Sequence, residues 1–343
     1  MELCASSVGD RLGLGSEHLT WLEALEQLGP PSDGVRLPEG VVASEELRQN
    51  LQVDDVDLEA LVAVRPSPSE TPELWWLLER AYHDVQRRLG NLHAVATTPQ
   101  LPASLGATGR CFWIFVYLAA VDDIRQWHVA RGIPDQVSWD TLADLGRHIR
   151  LFRLRTGYTG LDAQGWMSLH FQGALYALGR LQFAPYRLRT GPAGPLFWYD
   201  EDSVQSLGDG FSHADPALGL HIPESGPLTP VACDASVHQA REFFQRYLPE
   251  YANAVATCTS WLMDDQLLEY LDPDSNIIQF QRRFELVPGW RDSDSSAFHF
   301  IFGRTPEAID QITPRTTLER AIIRHVKAGG HWRLRTGWFR LPA

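Results

Sequence analysis

The chain has 343 residues, 44% of them hydrophobic and 21% charged, with a formal net charge of −13. That length accommodates about two domains at ~100–200 residues each, and the composition excludes a chain that is disordered throughout. The acidic balance argues against non-specific binding to nucleic acid and against an anionic membrane surface.

The predicted elements of the first half are helical. Ser16 caps a helix to Leu28, with Leu19, Leu22, Leu25 and Leu28 on one face and Gly29-Pro30-Pro31 as its stop. Asp54 or Asp57 opens a segment carrying Leu58, Leu61 and Val62. Pro72 starts a helix in which Trp75, Leu78, Tyr82 and Val85 recur at helical spacing, ended by Gly90. An apolar helix over 109–131 stops at Gly132, and a helix capped by Ser138 stops at Gly157. The longest apolar run within them, Cys111 to Val121, falls short of the ~20 residues of a spanning helix and is expected to be a buried one.

The period changes in the second half. Trp166 to Leu181 still reads as helix. QFAPYRLRTG, PLFWYD, LGLHIP, ATCTSWLMD, NIIQFQRRFELV and AFHFIFG then read as β-rich runs. Helices over Pro230–Tyr247, Asp265–Leu271 and Leu318–Lys327 interrupt or follow them, and GGHWRLRTGWFRL is expected as a terminal strand pair. Helices first and mixed elements after predict an α+β chain with a helical domain over 1–157 and a mixed domain over 158–343. Arg-Leu-Arg-Thr-Gly occurs three times, at 153–157, 187–191 and 333–337, without the fixed period of a repeat protein.

Four widely spaced cysteines, Cys4, Cys111, Cys233 and Cys258, contain no Cys-x-x-Cys pair, so free thiols in a cytoplasmic protein are expected. Glu2 and the lack of an apolar stretch after it do not read as a signal peptide. The histidines show no His-x-x-x-His pair and no carboxylate cluster at ligand spacing, so no metal is expected.

The stretch LGLHIPESGPLTP, Leu218 to Pro230, runs from strand through a glycine loop to a helix start. Helix N-termini with unpaired amides favour anions. The element order around it resembles the second half of the Gcn5-related N-acetyltransferase (GNAT) fold. The phrases LGRLQF (178–183), LHIPESGPLTP (220–230), DAS…A…FF (234–244), CTSWLMD (258–264), SNIIQFQRRF (275–284) and AGGHWRLRTGW (328–338) are together similar to a bacterial acyltransferase family. Its members carry a helical N-acyltransferase N-terminal domain and a GNAT-like C-terminal domain.

The resemblance implies a central splayed sheet, acyl-CoA or acetyl-CoA as co-substrate, and transfer of the acyl group to a small-molecule or peptide amine by direct attack. It places the donor at Ser225, Gly226, Leu228 and Thr229. The chain departs from the fold's usual phosphate loop: Glu224-Ser-Gly-Pro-Leu has one glycine, an acid and no basic residue. The family's acid after LGRLQF is here Ala184. His221 and Glu224 are the base candidates for the amine, and Cys258 or Ser260 the group that reprotonates the leaving thiolate. Arg282 and Arg283 are expected on opposite faces of a strand, one facing the cleft. Trp75, Trp76, Trp113 and Trp127 are candidates for an apolar groove. Two alternatives stand beside this reading: a GNAT-like binding module without chemistry, and a transferase or hydrolase forming an acyl-enzyme on Cys258 with His221 as base.

Overall fold

The computed structural model describes residues 3–39, 45, 47–188 and 211–341. It divides the chain into two compact units, Met1–Tyr176 and Ala177–Ala343. The expected division at 157/158 therefore moves towards the C-terminus. The cause is the helix Gln164–Phe171, whose Met167 and Phe171 are buried in the core of the first unit. The Phe171 ring stacks on Tyr117 at 4.7 Å between centroids, and the Tyr117 hydroxyl donates to the Gln164 carbonyl (2.5 Å).

Among the described residues the first unit contains helices α1 (Ala5–Leu12), α2 (Leu19–Leu28), α3 (Asp55–Ala63), α4 (Pro72–Arg88), α5 (Gly106–Ala119), α6 (Val121–Ala130), α7 (Asp135–Leu142), α8 (Asp144–Thr156) and α9 (Gln164–Phe171). Pro72 occupies the first turn of α4, where its missing N–H costs nothing. Gly157 ends α8 in the left-handed conformation. The expected helix over 109–131 is two helices that meet at Ala120. The stretch Ala103–Ala130 is long and apolar enough to cross a membrane, but 67% of its most apolar window is buried inside the unit. Every residue of α5 from Cys111 to Ala119 is buried.

Three expectations for this half need correction. Ser138 is not a cap: it lies inside α7, its hydroxyl 2.8 Å from His128 Nδ1. The helix expected to reach Leu181 ends at Phe171, because Gly173 takes a positive φ of 75° and the chain turns into a strand. Trp76 and Trp113 are core residues rather than groove walls. Both are buried, Arg80 stacks over the Trp76 ring, and Trp113 Nε1 donates to the Pro99 carbonyl (2.8 Å). Trp127 packs beneath Gly90 and Gly173, with Arg131 over its ring. Trp75, half-buried, donates to Glu79 (3.1 Å).

The second unit is built on a mixed sheet in the order β1-β2-β3-β4-β7-β5. Its strands are β1 (Tyr176–Leu178), β2 (Leu181–Arg187), β3 (Pro216–His221), β4 (Val255–Ser260), β5 (Glu285–Leu286), β6 (Arg291–Asp292) and β7 (Arg333–Arg340). The short β6 pairs with the start of β7. The α10 helix (Pro230–Tyr247) connects β3 to the parallel β4. The expected terminal strand pair is the single strand β7, which is antiparallel to β4 and β5.

Two β-rich runs are wholly or partly helical instead, the first keeping only Glu285–Leu286 as strand. Residues 276–281 form α11 (Asn276–Gln281), and 294–302 form α12 (Asp294–Phe302). Their apolar residues Ile278, Phe280, Ala297 and Phe298 are buried. Three of them join Trp261 and Trp332 in one cluster with α13 (Thr317–Lys327). Arg282 and Arg283 therefore leave a helix end rather than alternate across a strand. ATCTS is β4 as expected, but Trp261–Met263 turns into a 3-10 helix. The PLFWYD expectation, residues 195–200, lies outside the described residues.

Candidate functional site

The central strands part where the fold was expected to splay. β3 and β4 pair only over Ala217–Gly219 and Val255–Thr257. Beyond those residues β3 stays with β2, as far as His221 opposite Gln182. β4 stays with β7, as far as Ser260 opposite Arg335. Leu220 and His221 thus diverge from Cys258, Thr259 and Ser260. Two strand ends that each keep one partner expose an unpaired backbone edge to the notch between them.

The registers fix which side chains share a face, because paired residues point the same way and neighbours alternate. Gln182, Ala184, Tyr186, Ala217, Gly219, His221, Thr257 and Thr259 lie on one face. Leu218, Leu220, Ala256, Cys258 and Ser260 lie on the other. His221 is therefore across the sheet from Cys258. On the His221 face the Tyr186 hydroxyl meets Thr257 Oγ1 at 2.7 Å, and Thr259 Oγ1 meets Thr336 Oγ1 at 2.9 Å. Ala184, at the position of the family's acid, is opposite Gly219, so this face has small residues next to the half-buried His221.

Burial pushes the Cys258 thiol up to about 12, which leaves about one molecule in 10⁵ as thiolate at neutral pH. A thiol held there is a poor nucleophile. It is also a poor donor to an ordinary thiolate near 8.5. Ser260 accepts the Leu262 N–H (3.1 Å) as the cap of the turn after β4. Its own proton can still be donated.

The β3–α10 loop forms as its sequence predicts. Thr229 caps α10, its Oγ1 accepting the Ala232 N–H (3.3 Å), and Pro230 occupies the first turn. Gly226 has φ 63°, a conformation that favours glycine. Glu224 and Ser225 are exposed, and Leu228 is anchored in the core.

Reasoning from sequence missed Arg180. It sits in the two-residue turn between β1 and β2, behind Gly179, which has φ 71°. Its guanidinium donates to three loop carbonyls: Pro223 (3.1 Å), Gly226 (2.9 Å) and Pro227 (3.2 Å). The turn is itself fixed to α10, since Ser236 Oγ accepts the N–H groups of Arg180 (2.6 Å) and Leu181 (3.1 Å). A second cation braces the helix start. Arg283 donates to the Pro230 carbonyl (3.1 Å) and pairs with Asp234. Burial raises the buried Cys233 thiol in this first turn, and the charges of Arg283 and Arg180 both pull against that rise.

A trans peptide points its N–H opposite to its C=O, and the described residues contain no cis peptide. The carbonyls of Pro223 and Pro227 turned onto Arg180 therefore aim the amides of Glu224 and Leu228 away from it. Among the described residues, no acceptor meets these two amides or that of Val231. In this arrangement carbonyl oxygens are occupied from behind and amides face outward, a geometry that suits an anion. Three of the phrases that carried the sequence resemblance, LGRLQF, LHIPESGPLTP and DAS, converge here, and SNIIQFQRRF supplies Arg283. Among the described residues there is no cluster of three or more side chains able to hold a metal ion.

Residues 175–339 match the GNAT-like C-terminal domain family, and residues 43–173 match the N-acyltransferase N-terminal domain family. No curated protein matches the sequence. Similar solved structures include an acyltransferase in complex with decanoyl-CoA and teicoplanin, 41% identical, with 99% of this chain and 100% of that chain covered and a TM-score of 0.88. Another is an acyltransferase mutant with a tryptophan replaced by alanine, in complex with octanoyl-CoA, at 41% identity, the same coverage and a TM-score of 0.87. A third is an acyltransferase in complex with CoA and 10C-teicoplanin, also 41% identical over 99% and 100% of the two chains, with a TM-score of 0.88.

Proposed function

We propose a donor, an acceptor and a proton path for this chain, which belongs to the acyltransferases that join an N-acyltransferase N-terminal domain to a GNAT-like C-terminal domain. The donor is an acyl-CoA with a medium-length acyl chain, and the acceptor is an amine on a glycopeptide of the teicoplanin kind. The observation that carries this reading is the full-length likeness, at 41% identity, to an acyltransferase holding decanoyl-CoA and teicoplanin together. The outward amides of the β3–α10 loop, supported on Arg180, suit the donor's diphosphate. The notch between β3 and β4 is where the thioester reaches the sheet.

In the reaction the amine nitrogen attacks the thioester carbonyl. A C–N bond forms, the C–S bond breaks, and the thiolate leaves. Backbone N–H groups on the parted strand edges stabilise the charge on the carbonyl oxygen. His221 takes the proton that the amine sheds. The raised Cys258 thiol and the still less acidic Ser260 hydroxyl are both weaker acids than a CoA thiol, so Ser260 donates a hydrogen bond to the leaving thiolate, which takes its proton from solvent. Holding donor and amine in one site removes the entropy cost of their encounter. The acyl-enzyme alternative has two features against it: Cys258 is held as the thiol, and His221 is on the opposite face of the sheet. The four cysteines are unpaired, which fits the cytoplasmic setting we propose.

The test is incubation of the purified chain with decanoyl-CoA and deacylated teicoplanin. Mass spectrometry of the glycopeptide is expected to show the gain of one decanoyl group, with release of free CoA. Release of CoA without an acylated product would leave a thioesterase. Neither product across a panel of glycopeptide amines would return the chain to the binding-module alternative.

A further inference from the structure

The donor loop has no basic residue of its own and three carbonyl oxygens that an anion would avoid. We infer that Arg180 is the positioning residue of the donor-diphosphate loop, acting from the neighbouring hairpin to turn those carbonyls inward and set the amides of Glu224 and Leu228 towards the anion. The inference rests on the acyl-CoA reading above and adds to it the residue that makes this loop competent.

The geometry is specific to arginine. A planar guanidinium presents five N–H donors in a fixed fork, and here Nε, Nη1 and Nη2 each take a different carbonyl of one eight-residue loop. Lysine has three donors on a single atom and cannot span the same oxygens. The fork is fixed at its base as well. Gly179 leaves no room for a side chain, since a Cβ there would lie 2.8 Å from Ser236 Oγ. Ser236 is buried and holds the Arg180 amide to α10. Hairpin, loop and helix are thus one unit: a displacement of the hairpin releases the loop carbonyls. The guanidinium also adds a positive charge behind the loop, the component absent from Glu224-Ser-Gly-Pro-Leu.

The test separates a diphosphate-specific effect from a general loss of structure by using two donors with the same thioester. Decanoyl-CoA carries the diphosphate, and decanoyl-pantetheine does not. For Arg180→Met the KM for decanoyl-CoA is expected to rise at least about tenfold, as for loss of charge-assisted hydrogen bonds. Its kcat should stay within about threefold of wild type. Turnover of decanoyl-pantetheine should match wild type. Arg180→Lys should recover only part of the loss. Ser236→Ala, which keeps the charge but frees the hairpin, should shift KM in the same direction by less. Isothermal calorimetry with CoA alone reads the same ordering without turnover. An unchanged KM for decanoyl-CoA, or equal losses with the two donors, overturns the inference. If Arg180→Met fails to fold, Ser236→Ala decides by the same two-donor comparison. A wild-type chain that binds CoA but acylates nothing would sink the catalytic reading, and the CoA affinities of the variants would still decide this one.

Discussion

His221 and Cys258 lie where β3 and β4 have stopped pairing with each other, and they are on opposite faces of the sheet. His221 shares its face with Thr257, Thr259 and the small residues Ala184 and Gly219, the face on which the proposed base role is tested. A general base typically contributes ~10²–10⁴-fold. For His221→Ala, kcat is therefore expected to fall at least about tenfold, with the KM for acyl-CoA unchanged in steady-state assays. Exposed Glu224 lies in solvent at the loop, and Glu224→Gln should keep kcat within about threefold. Cys258→Ala should retain activity, and intact-mass spectra of wild type incubated with decanoyl-CoA should show no acyl adduct on Cys258. A dead Cys258→Ala together with an adduct on wild-type Cys258 would restore the acyl-enzyme alternative.

The β1–β2 hairpin carries a burden out of proportion to its length. Its turn needs positive φ at Gly179 and leaves no space for a Cβ against Ser236. A β-branched side chain there meets both obstacles. Gly179→Val should destabilise the chain by about 1–3 kcal/mol, read as a lower urea midpoint. It should also raise the KM for acyl-CoA, because the hairpin holds Arg180. At the other side of the loop, Thr229→Ala removes the cap of α10 and should cost about 1 kcal/mol. If Gly179→Val left the acyl-CoA KM at its wild-type value, the hairpin would be scaffold alone.

Buried groups in the helical unit make the chain's stability depend on pH. His128 is 1% exposed, and burial, with the charges of Arg125 and Arg131, lowers its pKa to about 4. The unfolded imidazole titrates near 6.5, so between these values the unfolded state holds a proton that the folded state refuses. Stability is therefore full above pH 6.5 and falls as the pH drops towards 4, by up to about 3 kcal/mol from this group. Asp144 differs. Burial alone would raise its pKa, but His148, His170 and Arg147 hold it well below the ordinary value. Its contribution is present above the unfolded carboxylate pKa and is lost only in more acidic solution. Melting temperatures of wild type and His128→Gln should accordingly diverge between pH 6.5 and 4, the variant falling less steeply. Parallel curves would show that His128 remains accessible to protons.

Local signals in the sequence determined the helical first half, the strands at Leu181–Arg187, Pro216–His221 and Val255–Ser260, and the Thr229-Pro230 helix start. In each case a cap, a stop or a period stands within a few residues of the element it specifies. The phrases that carry the family resemblance, and that meet at the β3–α10 loop, were legible too. Burial decided what period could not. The apolar runs 276–281 and 294–302 are short enough to be strand or helix, and packing of Ile278, Phe280 and Phe298 made them helices. Register decided the faces. Nothing in LGLHIP or ATCTS says how one strand is offset from the other, and that offset sets His221 apart from Cys258. Arg180 was hidden for the same reason: the loop's missing cation lies 43 residues before Pro223 in the chain, and only the folding of the hairpin against α10 brings the two together.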